Sequence, residues 1–132
     1  MQYSISQMAE LFGVKPHTLR FYEKEGILTP QRTKSGVRTY TEESKAQMEL
    51  TMCLKSTGMP LKDIKRYFDL VKVGDSTLEQ RLEIFTDHRR HVLEEIDTLQ
   101  KHLCKIEYKI QWCQNSLKAK NAEKSDRFPQ QP

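Results

Sequence analysis

Cysteine is scarce and poorly spaced for structural work: the chain has three, Cys53, Cys104 and Cys113, and no CxxC pair. An odd number without that spacing indicates neither a structural zinc site nor a disulfide framework, so free thiols are expected and no metal. No apolar run is long enough to cross a bilayer, which excludes a membrane-spanning helix. The opening stretch MQYSISQMAEL lacks the basic region, apolar core and small-residue cleavage site of a secretory signal. The expected location is therefore the cytoplasm, where thiols stay reduced, with no membrane partner. Also missing are a nucleophile–base pair, a carboxylate pair and a phosphate-cradling glycine loop, so neither enzymatic activity nor a cofactor is expected.

What is present is charge. Asp, Glu, Lys and Arg make up 30% of the 132 residues, and the formal net charge is +4. That balance is compatible with a polyanionic partner without requiring one. The length allows one compact domain plus an extension, and a domain this small buries a modest core, so support from a second chain would be unsurprising.

The periodicity divides the chain. In SISQMAELFGV, Ser4 or Ser6 can cap a short helix whose apolar face is Ile5, Met8, Ala9 and Phe12, with Gly13 as its stop. In KPHTLRFYEKEGIL, Pro16 suits the first helical position and Gly26 the exit. Two short helices joined by a tight turn form a helix-turn-helix candidate. The stretch TPQRTKSGVRTYT then has the marks of a hairpin turning at Lys34, Ser35 and Gly36, and Arg32, Lys34 and Arg38 would set it against a sugar-phosphate backbone as a wing. Further helices are expected from Glu42 to about Gly58 and from Pro60 to about Gly74. From Leu78 to Leu117 a heptad seam runs through Leu82, Phe85, Arg89, Val92, Ile96, Leu99, Leu103, Ile106, Ile110 and Cys113. So long a stripe argues for a coiled coil with another chain, most simply a homodimer. The expected organisation is a DNA-binding head over residues 1–74, a coiled-coil helix over 75–118 and a disordered polar tail over 119–132.

Together, ISQMAELFGVKPHTLRFYEKEGILTPQRTKSGVRTYT, the Gly-Met-Pro-Leu break and the terminal heptads resemble the MerR family of bacterial transcription regulators, over about residues 3 to 118. The resemblance implies a mainly α fold: a winged helix-turn-helix head followed by a long antiparallel coiled-coil dimerisation helix. It also implies double-stranded promoter DNA as partner, with bacterial RNA polymerase on the same promoter. The dimer would distort an over-long promoter spacer so that its two recognition elements realign, a deformation that costs several kcal/mol. Carried over onto this chain, Lys15, His17, Thr18 and Arg20 fall on the recognition helix, Tyr22 on a backbone contact, and Arg38 and Tyr40 on the wing, with Arg32 and Lys34 as helpers. Lys62 could add a charge at a helix N-terminus. Of the adjacent aromatics, Phe21 is expected in the core and Tyr22 at the DNA.

Members of that family differ in what they sense. Ser76 stands near the family's first metal-binding cysteine, and no Cys or His follows Leu117, which argues against copper, zinc or mercury. The stretch MCLKSTGMPL is similar to the thiol-based, aldehyde-responsive subgroup, whose cysteine matches Cys53. The resemblance therefore implies a reactive electrophile or an oxidant as signal, and the Cys53 thiolate as the attacking group. Periodicity alone favours Cys53 as a small core residue beside Leu50 and Leu54. Cys104 and Cys113 are expected to be structural, and His88, His91 and His102 to form solvated surface. Two other functions stay open: a regulator binding a small-molecule ligand without thiol chemistry, and a coiled-coil interaction module.

Overall fold

The computed structural model describes residues 1–127 and divides into two compact units, Met1–Arg89 and Arg90 onward. In the first unit the order is β1 (Tyr3–Ser4), α1 (Ile5–Phe12), α2 (Pro16–Lys24), β2 (Gln31–Arg32), β3 (Arg38–Tyr40), α3 (Glu42–Ser56), α4 (Leu61–Val73), a 3-10 turn (Asp75–Thr77) and the start of α5 (Leu78–Arg127). The fold is mainly α, with one antiparallel sheet in the order β1-β3-β2.

Local chemistry sets the element ends. Ser4 and Gln7 form a reciprocal capping box: Gln7 N–H donates to Ser4 Oγ at 3.1 Å, and Ser4 N–H to Gln7 Oε1 at 2.8 Å. Gly13 ends α1 at φ 63°, a left-handed conformation that sends the chain into α2 at little cost only for glycine. Lys15 is extended ahead of Pro16, which occupies the first helical turn. In the wing, Gly36 at φ 85° and the bond from Thr33 N–H to Val37 O at 2.8 Å close the turn between β2 and β3.

Met8, Leu19, Ile27, Tyr40, Met48 and Ile64 are the fully buried apolar centre, drawn from α1, α2, the connection after α2, β3, α3 and α4. Two hydroxyl residues of α3 share that interior. Ser44 Oγ donates to Thr29 O at 2.9 Å and Thr51 Oγ1 to Gln47 O at 2.7 Å, so neither leaves a buried polar group unpaired. The buried face of α3 is thus Ser44, Met48, Thr51 and Leu54, and Cys53 lies off it, exposed.

Several features differ from or add to the sequence expectations. Strand β1 pairs Tyr3 with Tyr40 and Ser4 with Thr39, a strand too short to carry its own alternation signal. The first compact unit continues past residue 74, because Ile84 is buried in its core and the Phe85 ring lies 4.7 Å from Tyr67. Finally, α5 runs through residues 119–127, which were expected to be disordered. Ala, Lys and Glu dominate the stretch up to Lys124 and are strong helix formers, with no Gly or Pro before Pro129. The rest of the expected tail lies outside the described residues.

His88 also differs from its expected solvated setting. Its Nε2 lies 2.7 Å from Thr57 Oγ1, and Thr57 Oγ1 in turn donates to Cys53 O at 2.8 Å at the end of α3. His91 pairs with Glu95 at 2.9 Å on the second unit's helix.

Candidate nucleic-acid interface

Helix α2 sorts its side chains by spacing. Leu19 and Tyr22 turn inward, while His17, Arg20, Phe21 and Lys24, separated by three or four residues, are exposed on the other side. Lys15 is exposed ahead of them and Thr18 is half-buried. Arg20 and Lys24, with Lys15 ahead of them, give this stripe its positive charge, and Phe21 within it is 44% exposed. Lys72 anchors the exit of α2 by donating to Gly26 O at 2.7 Å.

The wing supplies a second cationic surface. Arg32 and Arg38 are direct cross-strand partners in the β2–β3 ladder, a juxtaposition of like charges that an anion would relieve. Arg32 donates to Gly36 O at 3.1 Å across the turn, and both Arg32 and Lys34 are exposed. Arg38 Nε lies 2.7 Å from Glu23 Oε2, and its side chain keeps 25% exposure. Lys62 is exposed in the first turn of α4, beside Asp63.

Two expected DNA contacts are corrected. Tyr22 is 3% exposed and Tyr40 is fully buried, so both are core aromatics. The Tyr40 hydroxyl donates to Glu23 Oε1, which satisfies its one polar atom inside the core. Phe21 takes the surface position expected of Tyr22. Helical spacing from Leu19 carries this information, since a step of three returns to the same face and a step of two does not.

Burial, followed by the Glu23 carboxylate, raises the Tyr40 phenol above its ordinary pKa of 10.0. The folded state therefore holds the neutral phenol more firmly than the unfolded chain does. This contribution is complete below about pH 10 and is lost as pH rises beyond it. Thermal unfolding between pH 8 and 11 should show the wild type losing more stability than Tyr40→Phe, which cannot ionise; parallel losses would contradict this.

An exposed cationic helix entered through a tight turn and followed by a cationic hairpin defines a winged helix-turn-helix DNA-binding protein. Residues 3–70 match the family described as MerR HTH family regulatory protein, and residues 45–106 match MerR, DNA binding. The chain belongs to the MerR family. It is 39% identical over 133 residues to an uncharacterized HTH-type transcriptional regulator of Haemophilus influenzae, covering 100% of this chain and 98% of that protein. It is 36% identical over 92 residues to the HTH-type transcriptional regulator AdhR of Bacillus subtilis, covering 69% and 66% of the two chains. Among solved structures it is similar to HiNmlR, described as a MerR family regulator lacking the sensor domain and bound to promoter DNA. There the TM-score is 0.79 and the identity 39%, over 88% of this chain and 93% of that one. This chain is accordingly a MerR-type DNA-binding transcription regulator and not an enzyme. Among the described residues no helix is long and apolar enough to cross a membrane, and no group of three or more His, Cys, Asp or Glu gathers as a metal site.

In the second unit, Ile96, Leu99, Leu103, Ile106, Ile110 and Leu117 of α5 are all exposed, Leu99 at 66%. Ile106, Ile110, Cys113 and Leu117 line one shallow apolar trough. Cys104 and Cys113, expected to be structural, are exposed in the single chain, as is Cys53.

Proposed function

We propose that this protein binds promoter DNA as a homodimer, deforms an over-long spacer for RNA polymerase, and changes that deformation when an electrophile or oxidant reacts at Cys53. In this reading Lys15, His17, Thr18 and Arg20 meet the groove, while Arg32, Lys34, Arg38 and Lys62 meet phosphates. The exposed apolar stripe of α5 joins the two copies along a coiled-coil seam. The dimer helix is the stretch that follows the head, and the head's own packing extends to Arg89.

The observation that carries the sensor reading is the exposure of Cys53, on a helix whose opposite face forms the core of the DNA-binding unit. An electrophile can therefore reach the sulfur without prior unfolding. With a carbonyl electrophile the thiolate adds to the carbon and the resulting oxyanion takes a proton, so the product is a hemithioacetal and neither an oxidant nor a reductant is needed. The added bulk stands at the end of α3, where Thr57 Oγ1 donates to Cys53 O and lies 2.7 Å from His88 Nε2.

The test is transcription from a promoter that the protein binds, with and without a small aldehyde, for wild type and Cys53→Ser. Wild type should switch, with the adduct mapped to Cys53 by mass spectrometry. Cys53→Ser should bind the same DNA and fail to switch. An aldehyde response that persists in Cys53→Ser would remove the thiol from the mechanism while leaving DNA binding intact.

A further inference from the structure

We infer that Glu23 is a positioning residue for DNA binding: its single carboxylate fastens the wing strand to the recognition helix and presents Arg38 to a phosphate. The inference rests on the reading of Arg38 as a phosphate contact given above, and adds what holds that contact in place.

Glu23 lies in the last turns of α2, on the inward side with Leu19 and Tyr22, and its side chain is only 10% exposed. Both of its oxygens are used, and both partners come from β3. Oε1 accepts from the buried Tyr40 hydroxyl, and Oε2 lies 2.7 Å from Arg38 Nε. One carboxylate thereby joins α2 to two alternate residues of one short strand, so the helix and the wing are held in a fixed relation. The Nε edge of Arg38 faces Glu23 as a close ion pair without the alignment of a hydrogen bond, which leaves the two Nη groups of the same planar guanidinium to serve as donors for a phosphate, in the fork geometry that suits it. Lysine could not do this, since its one ammonium would have to choose between carboxylate and phosphate.

The charges are arranged for such use. Arg32 stands directly opposite Arg38, and Glu23 offsets part of that repulsion. An acidic residue beside a DNA surface would by simple Coulomb repulsion weaken binding. The positioning role predicts the opposite sign, and this makes the two views separable.

The experiment compares DNA affinity and its salt dependence for wild type, Glu23→Met, Glu23→Gln, Arg38→Ala, Arg38→Lys and the Glu23→Met/Arg38→Ala pair. Glu23→Met removes a negative charge, yet it should weaken binding about tenfold, the scale of one charge-assisted hydrogen bond. It should also lower the salt slope by about 0.9, the loss of one phosphate. Glu23→Gln, which keeps an oxygen acceptor, should restore most of the affinity. In the Arg38→Ala background Glu23→Met should have no further effect on binding. Arg38→Lys should bind nearly as poorly as Arg38→Ala, and this comparison stands even where Glu23→Met does not fold. Equal or tighter binding by folded Glu23→Met, or near-normal binding by Arg38→Lys, overturns the role of Glu23. Unchanged affinity and slope in Arg38→Ala instead overturn the phosphate contact itself, and the inference with it.

Discussion

Replacing Leu103 and Ile106 with glutamate should convert the protein to a single-chain species and reduce its affinity for promoter DNA by roughly two to four orders of magnitude. Both side chains are exposed in the single chain, at 50% and 56%, so the substitutions remove no packing within it. Glutamate is also a good helix former, and α5 should persist. In the proposed dimer the charges would destroy the seam, because carboxylates cannot be desolvated against an apolar partner face without a large cost. The loss at DNA follows from linkage: two tethered heads bind two half-sites with a high effective concentration, and separated heads do not. Sedimentation equilibrium and a DNA titration measure the two effects on the same sample. A variant that remains a dimer would remove this stripe from the interface.

The second large effect is expected at Arg20. It stands on the exposed stripe of α2 with His17 and Lys24, away from Leu19 and Tyr22. Arg20→Ala should weaken binding by about 1–3 kcal/mol, and the loss should concentrate on one base position of the operator. Arg38→Ala should weaken binding across sequences and lower the salt slope by about 0.9. Measuring both variants on a panel of operator substitutions at several salt concentrations separates base reading from phosphate contact. If the Arg20 loss is uniform across the panel, its role moves to the backbone.

Much of the architecture was legible because the punctuation is strong. Ser4, Gly13, Pro16, Gly36 and Pro60 each make a local demand that the fold meets at that position, and the boundaries of α1 to α4 follow within a few residues. Of the proposed site, Lys15, His17, Arg20, Arg32, Lys34 and Lys62 are all exposed, as their polarity in the sequence suggests. The aromatics misled. The family resemblance puts Tyr22 and Tyr40 at backbone contacts, yet Tyr40 gives its hydroxyl to Glu23 inside the core. A buried carboxylate is what makes that tyrosine an interior residue, and sequence alone does not pair residues 17 positions apart.

Cys53 illustrates the same limit on α3. Hydropathy draws the apolar stripe through Leu50, Cys53 and Leu54, whereas the actual inward face includes Ser44 and Thr51. These two become core residues because backbone carbonyls at Thr29 and Gln47 accept their hydroxyls, a satisfaction invisible to a hydropathy pattern. Turning the helix to accommodate them brings Cys53 out to solvent. Beyond Leu117, Ala, Lys and Glu residues continue a helix readily once a preceding one exists.

The central claim is that two copies of this head read DNA together, through α2 and the wing. Hydroxyl-radical footprinting on an inverted-repeat promoter tests it most directly. The predicted result is two equivalent protected segments related by the dyad of the repeat, with matching protection weakened in both by Arg20→Ala and lost from both in the Leu103→Glu/Ile106→Glu variant. A single unsymmetrical footprint that is insensitive to those substitutions would contradict it.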